Sequence, residues 1–208
     1  MLIIMILVGA LSGWLCLPLC KKLIDSRTDT PIQKWYITGK YAPILWCALG
    51  AVSFVLVELQ GISIPQKVEF IIVTLTCLLI GSVDIAVKKI PNILLLTLMI
   101  TKALFLAINF SKESLIQSFW GFVAASVIFI LPSLLKIKVG AGDIKLAAVI
   151  GLYLGINGFL QAMLIMAITI SVYGIFLTIR KLGNFKSLTA MGPYLALGFI
   201  ITLLFPII

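Results

Sequence analysis

Residues 70–89 read FIIVTLTCLLIGSVDIAVKK. No charged residue interrupts 70–83, and the run lacks the apolar–polar alternation of a barrel strand. With its flanks it makes an apolar segment over about 68–86, long enough to cross a bilayer as a helix. An aspartate, Asp84, sits near its end, just before the basic pair Lys88-Lys89.

Working outward, seven more segments of the same kind appear, at about 2–20, 42–60, 90–110, 115–135, 143–157, 158–179 and 188–207. The sixth and seventh almost merge at Gly155-Ile156-Asn157-Gly158. The 208 residues are 62% hydrophobic and 11% charged, with mean hydropathy +1.24. A soluble domain of this size needs more polar surface to cover its core. The chain therefore reads as an all-α polytopic membrane protein of about eight transmembrane helices, forming one membrane-embedded domain over 1–208. The run from Met1 to Cys20 lacks a basic n-region and a small-x-small cleavage site, so it reads as a retained helix.

Orientation follows from the basic residues. With eight crossings, Lys21, Lys22, Arg27, Lys34, Lys40, Lys88, Lys89, Lys136, Lys138, Lys145, Arg180, Lys181 and Lys186 share one face. Only Lys67 and Lys112 fall on the other, and Lys102 lies inside the fourth segment. Both termini are then expected outside, and the loop 21–41 inside. The net charge of +9 is this bias, with some attraction to anionic lipid, and no basic patch interleaved with aromatics points to nucleic acid.

The chain has seven carboxylates and no histidine. Two of them, Asp84 and Asp143, fall where inside loops meet apolar segments. Asp143 closes Gly140-Ala141-Gly142-Asp143 and is followed by Ile144-Lys145-Leu146. Segment three runs inward and segment six outward, so packing them together would bring both carboxylates to one depth. Two close carboxylates cannot both ionise cheaply and share a proton. One can then deprotonate a water while the other polarises a carbonyl, with no metal or cofactor. The N-terminal end of segment six favours charge on Asp143, and the C-terminal end of segment three disfavours it on Asp84. Gly140 and Gly142 would let the loop turn tightly and approach a substrate strand. A plainer reading of Asp143 is a helix N-cap. Lys102 is expected to snorkel or to pair with Glu58 or Glu69. The cysteines Cys16, Cys20, Cys47 and Cys77 form no C-x-x-C pair, so no zinc site is expected.

Asp84 with Ile90-Pro91-Asn92, then Gly-Ala-Gly-Asp-Ile-Lys-Leu at 140–146 with Gly151 behind it, resembles the type IV prepilin leader peptidases. These are polytopic GxGD-type aspartyl proteases. A weaker piece is Gly192-Pro193-Tyr194-Leu195 in the last segment. The resemblance implies an endopeptidase of a bacterial plasma membrane. It would cut the basic leader from type IV prepilins or pseudopilins at the cytoplasmic face, usually after a glycine. Asp84 and Asp143 would be its catalytic pair, with Gly140, Gly142 and Lys145 shaping the loop or holding substrate.

Bifunctional members carry a cytoplasmic insert with two C-x-x-C pairs binding zinc. Here that place holds only 21–41, which puts N-methyl transfer in question. Presenilin-type GxGD proteases have Tyr-Asp at the first aspartate and Pro-Ala-Leu near the end; here Val83 precedes Asp84 and Gly-Pro-Tyr-Leu stands at 192–195. A small proton- or cation-coupled transporter using Asp84 and Asp143 is the alternative from another class. It would place its acids near mid-membrane rather than at one interface.

Overall fold

The computed structural model describes residues 2–28, 34–135, 139–181 and 190–207. Lys136, Lys138 and Lys186, counted in the orientation argument above, lie outside the described residues. The described residues are helical, in the order α1 (Leu2–Asp25), α2 (Trp35–Thr38), α3 (Ala42–Glu58), α4 (Ile64–Val87), α5 (Asn92–Ile108), α6 (Lys112–Leu134), α7 (Ala141–Ile179) and α8 (Gly192–Leu204). Four of them, α1, α4, α6 and α7, are long and apolar enough to cross a membrane, and α3, α5 and α8 are shorter apolar helices.

Helix ends depart from the hydropathy segments where local chemistry overrides apolarity. α1 runs on through Lys21, Lys22 and Asp25, and the short α2 forms within the loop expected over 21–41. α4 starts at Ile64, four residues before its apolar run. Ser63 donates its N–H to Gln66 Oε1 at 3.3 Å, and Pro65 occupies the first turn, where its missing N–H costs nothing. Pro91 stands at the N-cap of α5 rather than inside it.

The join expected at 155–158 is a break inside α7. Gly155 has φ 68° and ψ −170°, a conformation open to glycine and costly for any other residue. Contacts along α8 give the direction of each arm. Tyr153, on the first arm, has its ring 5.3 Å from that of Phe199 in mid-α8. Gln161, on the second, donates to Phe205 O at 2.8 Å and accepts from Ile207 N at 2.9 Å, beyond the end of α8. Tyr173 then lies back beside Tyr194, with ring centroids 6.1 Å apart, at the start of α8. The chain thus reverses between Tyr153 and Gln161, and α7 is a hairpin of two apolar arms.

Packing is close wherever glycines meet. α1 lies on α3 through Gly9, Gly13 and Gly50. A Cβ at Gly50 would stand 2.1 Å from Gly9 O, so the backbones touch directly. Gly121 of α6 meets Gly151 O on the first arm of α7 in the same way, at 2.1 Å from an added Cβ. Trp46, Leu98, Ile150, Phe159 and Phe199 fill the interior. The outer surface stays apolar, with Leu7, Ile44, Val52, Leu104, Ile168 and Val172 all exposed. Such a surface suits a hydrocarbon solvent.

Of the two partners expected for Lys102, the structure selects Glu69. Its Nζ lies 3.9 Å from Glu69 Oε1 and 5.1 Å from the ring centroid of Tyr153, while Glu58 pairs with Lys67 at 3.0 Å. The Tyr153 hydroxyl donates to Leu98 O at 2.8 Å. The cluster ties α4, α5 and α7 together.

Leucine at Gly50 has no room against α1. Gly50→Leu is expected to cost about 1–3 kcal/mol, read as a lower midpoint of thermal unfolding in detergent. Val52→Leu, on the exposed face of the same helix, should leave the midpoint in place. An unchanged midpoint for Gly50→Leu would contradict the α1–α3 contact.

Candidate active site

Asp84 lies in the last turn of α4 and is only 4% exposed. The helix ends just past it, with Lys88 in the left-handed region (φ 53°, ψ 36°) and its N–H bonded to Asp84 O at 2.8 Å. This abrupt stop lets the chain turn through Ile90 and Pro91 into α5. The end of α4 alone would disfavour charge on Asp84, but the start of α8 supplies a compensating donor. The Gly192 N–H, first of that helix, donates to Asp84 Oδ2 at 3.0 Å. Such N-terminal amides have no partner within their own helix and favour an anion. The next residue, Pro193, has no N–H to offer. Both carboxylates therefore face a helix N-terminus, and helix-end electrostatics does not set them apart.

The Asp84–Gly192 contact leaves no space for a side chain. A Cβ at Gly192 would lie 2.6 Å from Asp84 Oδ2 and 2.9 Å from its Cγ. Gly192 was visible in the sequence only within a weak family piece. Its local signal is a Gly-Pro pair opening an apolar helix, and nothing in that pair names Asp84 across 108 residues.

Asp143 is half-buried in the first turn of α7. It is not the cap: Gly140 holds that position, and its carbonyl accepts from the N–H groups of Asp143 at 3.0 Å and Ile144 at 3.2 Å. The two glycines of the GxGD stretch serve as empty space. Gly140 has φ −63° and ψ 130°, which any residue can adopt, but a Cβ there would meet Asp143 Oδ2 at 2.7 Å. At Gly142 an added Cβ would press on Ile90 Cβ at 3.0 Å. Ile90, buried in the α4–α5 turn, thus packs on the loop that carries the second aspartate.

The two carboxylates line one cavity of about 320 Å³. Around them stand Gly140, Ala141, Gly142, Ile90 and Asn92, together with the cations Arg27, Lys88, Lys89 and Lys145. Lys145 Nζ donates to Asn92 Oδ1 at 3.3 Å, which accounts for the polar residue after Pro91. In the sequence Arg27 is one of the basic residues of the inside loop 21–41, and only the tertiary fold brings it here. Tyr36 fixes the neighbouring backbone: its hydroxyl donates to Ser82 O at 3.1 Å, and its own carbonyl accepts from Trp46 Nε1 at 3.0 Å. Asp25 is exposed and does not line the cavity. Among the described residues no group of three or more His, Cys, Asp or Glu side chains could hold a metal ion.

The model of the type IV leader peptidase family matches residues 71–179, from the body of α4 to the end of α7. No curated protein and no solved structure gives a significant match. The family match spans more than half of the 208 residues and contains both aspartates and the glycines beside them. With several long apolar helices around that site, the chain is a multi-pass membrane protein and belongs to the type IV leader peptidase family.

Proposed function

We propose that this protein is an aspartyl endopeptidase that removes the basic leader of type IV prepilins or pseudopilins at the cytoplasmic membrane face. The observation that carries this reading is the convergence of Asp84 and Asp143 on one small cavity, from the end of α4 and the start of α7.

Chemistry at such a pair needs one shared proton. The ionised carboxylate takes a proton from a water, whose oxygen attacks the scissile carbonyl carbon. The protonated carboxyl gives its proton to the carbonyl oxygen. When the tetrahedral adduct collapses, the C–N bond breaks, the amine leaves with a proton from the pair, and the leader departs with a new carboxylate. The pair acts as a unit, so neither residue owns the proton. The Gly192 N–H holds Asp84 in place for this work, and Gly140 leaves room for the Asp143 carboxylate to swing back. No observation favours transport.

The two arms of α7 supply the sixth and seventh of eight crossings, with both termini outside. The cations that share the cavity with the aspartates support a cytoplasmic site. Labelling of single cysteines on a cysteine-free background is expected to reach 21–28 and 180–181 from the inside, and 61–67 and 111–114 from the outside. Labelling of Lys88→Cys from the outside would reverse the topology and move the site to the other face.

Asp84→Asn and Asp143→Asn should each lower leader cleavage by about a thousandfold or more, with the protein still present in the membrane. Asp25→Asn should cleave as the parent does. Near-normal cleavage by either aspartate variant would remove that residue from the reaction.

Gly192→Ala tests the positioning of Asp84. Its methyl group pushes the carboxylate aside, so kcat should fall about a hundredfold while KM changes little. An unchanged kcat would mean that α8 plays no part in setting the dyad.

A further inference from the structure

Residues 34–46 lie ahead of the range that the family model matches, and none of them lines the aspartate cavity. They nevertheless form a tight unit against the end of α4. α2 is a single turn, closed by the Gly39 N–H donating to Trp35 O at 3.0 Å. A Cβ at Gly39 would stand 2.2 Å from that oxygen, so a side chain has no room there. A helix of this length has no stability of its own. Burial holds it instead: Ile37 is 3% exposed, and Trp46, just beyond in α3, is 1% exposed.

Two hydrogen bonds pass through Tyr36. Trp46 Nε1 donates to its carbonyl at 3.0 Å, and its hydroxyl donates to Ser82 O at 3.1 Å. Burial, with Cys20 nearby, pushes that hydroxyl up to about 12, so it keeps its proton and goes on donating through the neutral range. Ser82 precedes Asp84 by two residues, and α4 ends only five residues after Ser82, at Val87. Helix ends fray unless something holds them. The Gly192 N–H holds the Asp84 carboxylate, but a carboxylate is only as well placed as the turn that carries it.

Resting on the peptidase reading, we infer that Tyr36 is a positioning residue for the reaction, fixing the end of α4 so that Asp84 meets Asp143 in the right place. It acts through the Ser82 carbonyl. The path from Trp46 through Tyr36 to Ser82 makes the end of the inside loop a brace for the first aspartate, as Gly192 is the brace from α8. A misplacement of about 1 Å at a reacting group can cost about a hundredfold in rate. Losing one brace while the other remains should cost less, about tenfold.

The test uses the full-length protein and a prepilin-type precursor. Tyr36→Phe removes the hydroxyl and keeps the ring. It should lower kcat per folded protein about tenfold, with KM within about twofold and the thermal midpoint in detergent close to the parental one. Tyr41→Phe, at an exposed tyrosine of the same loop, should keep the parental kcat. Tyr36→Phe combined with Gly192→Ala gives a second readout. Both changes act on the placement of Asp84, so the double variant should lose much less than the product of the two single effects. An unchanged kcat in Tyr36→Phe, or a lower midpoint without a lower kcat, would overturn the inference. Losses that multiply in the double variant would overturn it too, since Tyr36 would then act elsewhere than on Asp84. Failure of the unaltered protein to cleave the precursor would overturn the peptidase reading, and this inference with it.

Discussion

A carboxylate buried in an apolar bundle must find a donor, and the hydrogen bond from Gly192 N–H to Asp84 Oδ2 meets that need. Leaving such a group unpartnered would cost several kcal/mol, a large share of the stability of a small domain. The bond therefore fixes more than a side chain. It requires the start of α8 to sit on the end of α4, forbids a Cβ at Gly192, and places an unsatisfied helix terminus where charge is wanted. Once α8 is there, the second arm of α7 packs along it, from Gln161 beside Phe205 to Tyr173 beside Tyr194. The reversal at Gly155 follows from the same constraint, since Asp143 must stand at the aspartate end of the bundle while Gln161 stands at the other. The family match stops at residue 179, so the helix that anchors its first aspartate lies outside the matched range.

Hydropathy made the apolar segments readable because a bilayer-facing helix has one dominant requirement, continuous apolar surface. It could not read features that depend on one backbone angle or on a partner. The break at Gly155 is such a case: window averages register two merged segments, but only φ 68° shows that the chain turns back. The overrun of α1 to Asp25 and the four-residue α2 are others, where local hydrogen bonding continues after apolarity ends. For Lys102, two acids were available by sequence, and the choice of Glu69 depends on how α4 and α5 pack.

At the site, Asp84 and Asp143 stood out because acids are rare in this chain and these two sit at segment ends. The glycines of 140–143 stood out as part of a motif, but the neighbour that each one clears was not legible. Neither has a left-handed backbone, and each clears space for a specific neighbour, the Asp143 carboxylate or Ile90. Gly192 and Arg27 were not legible as site residues, because both arrive through tertiary packing from distant helices. A short polar motif reveals the candidate reacting groups. The groups that hold them come from wherever the bundle places a free amide or a cation.

The central claim is that Asp84 and Asp143 work as one unit, and the double variant Asp84→Asn/Asp143→Asn tests it most directly. If the pair shares one proton and one water, removing the second carboxylate after the first takes away nothing further. The rate constant for leader cleavage by the purified double variant should then match that of either single variant, because residues acting as a unit are strongly non-additive. Losses that multiply, with the double variant slower by the product of the two single effects, would mean that the aspartates act independently and would contradict the account.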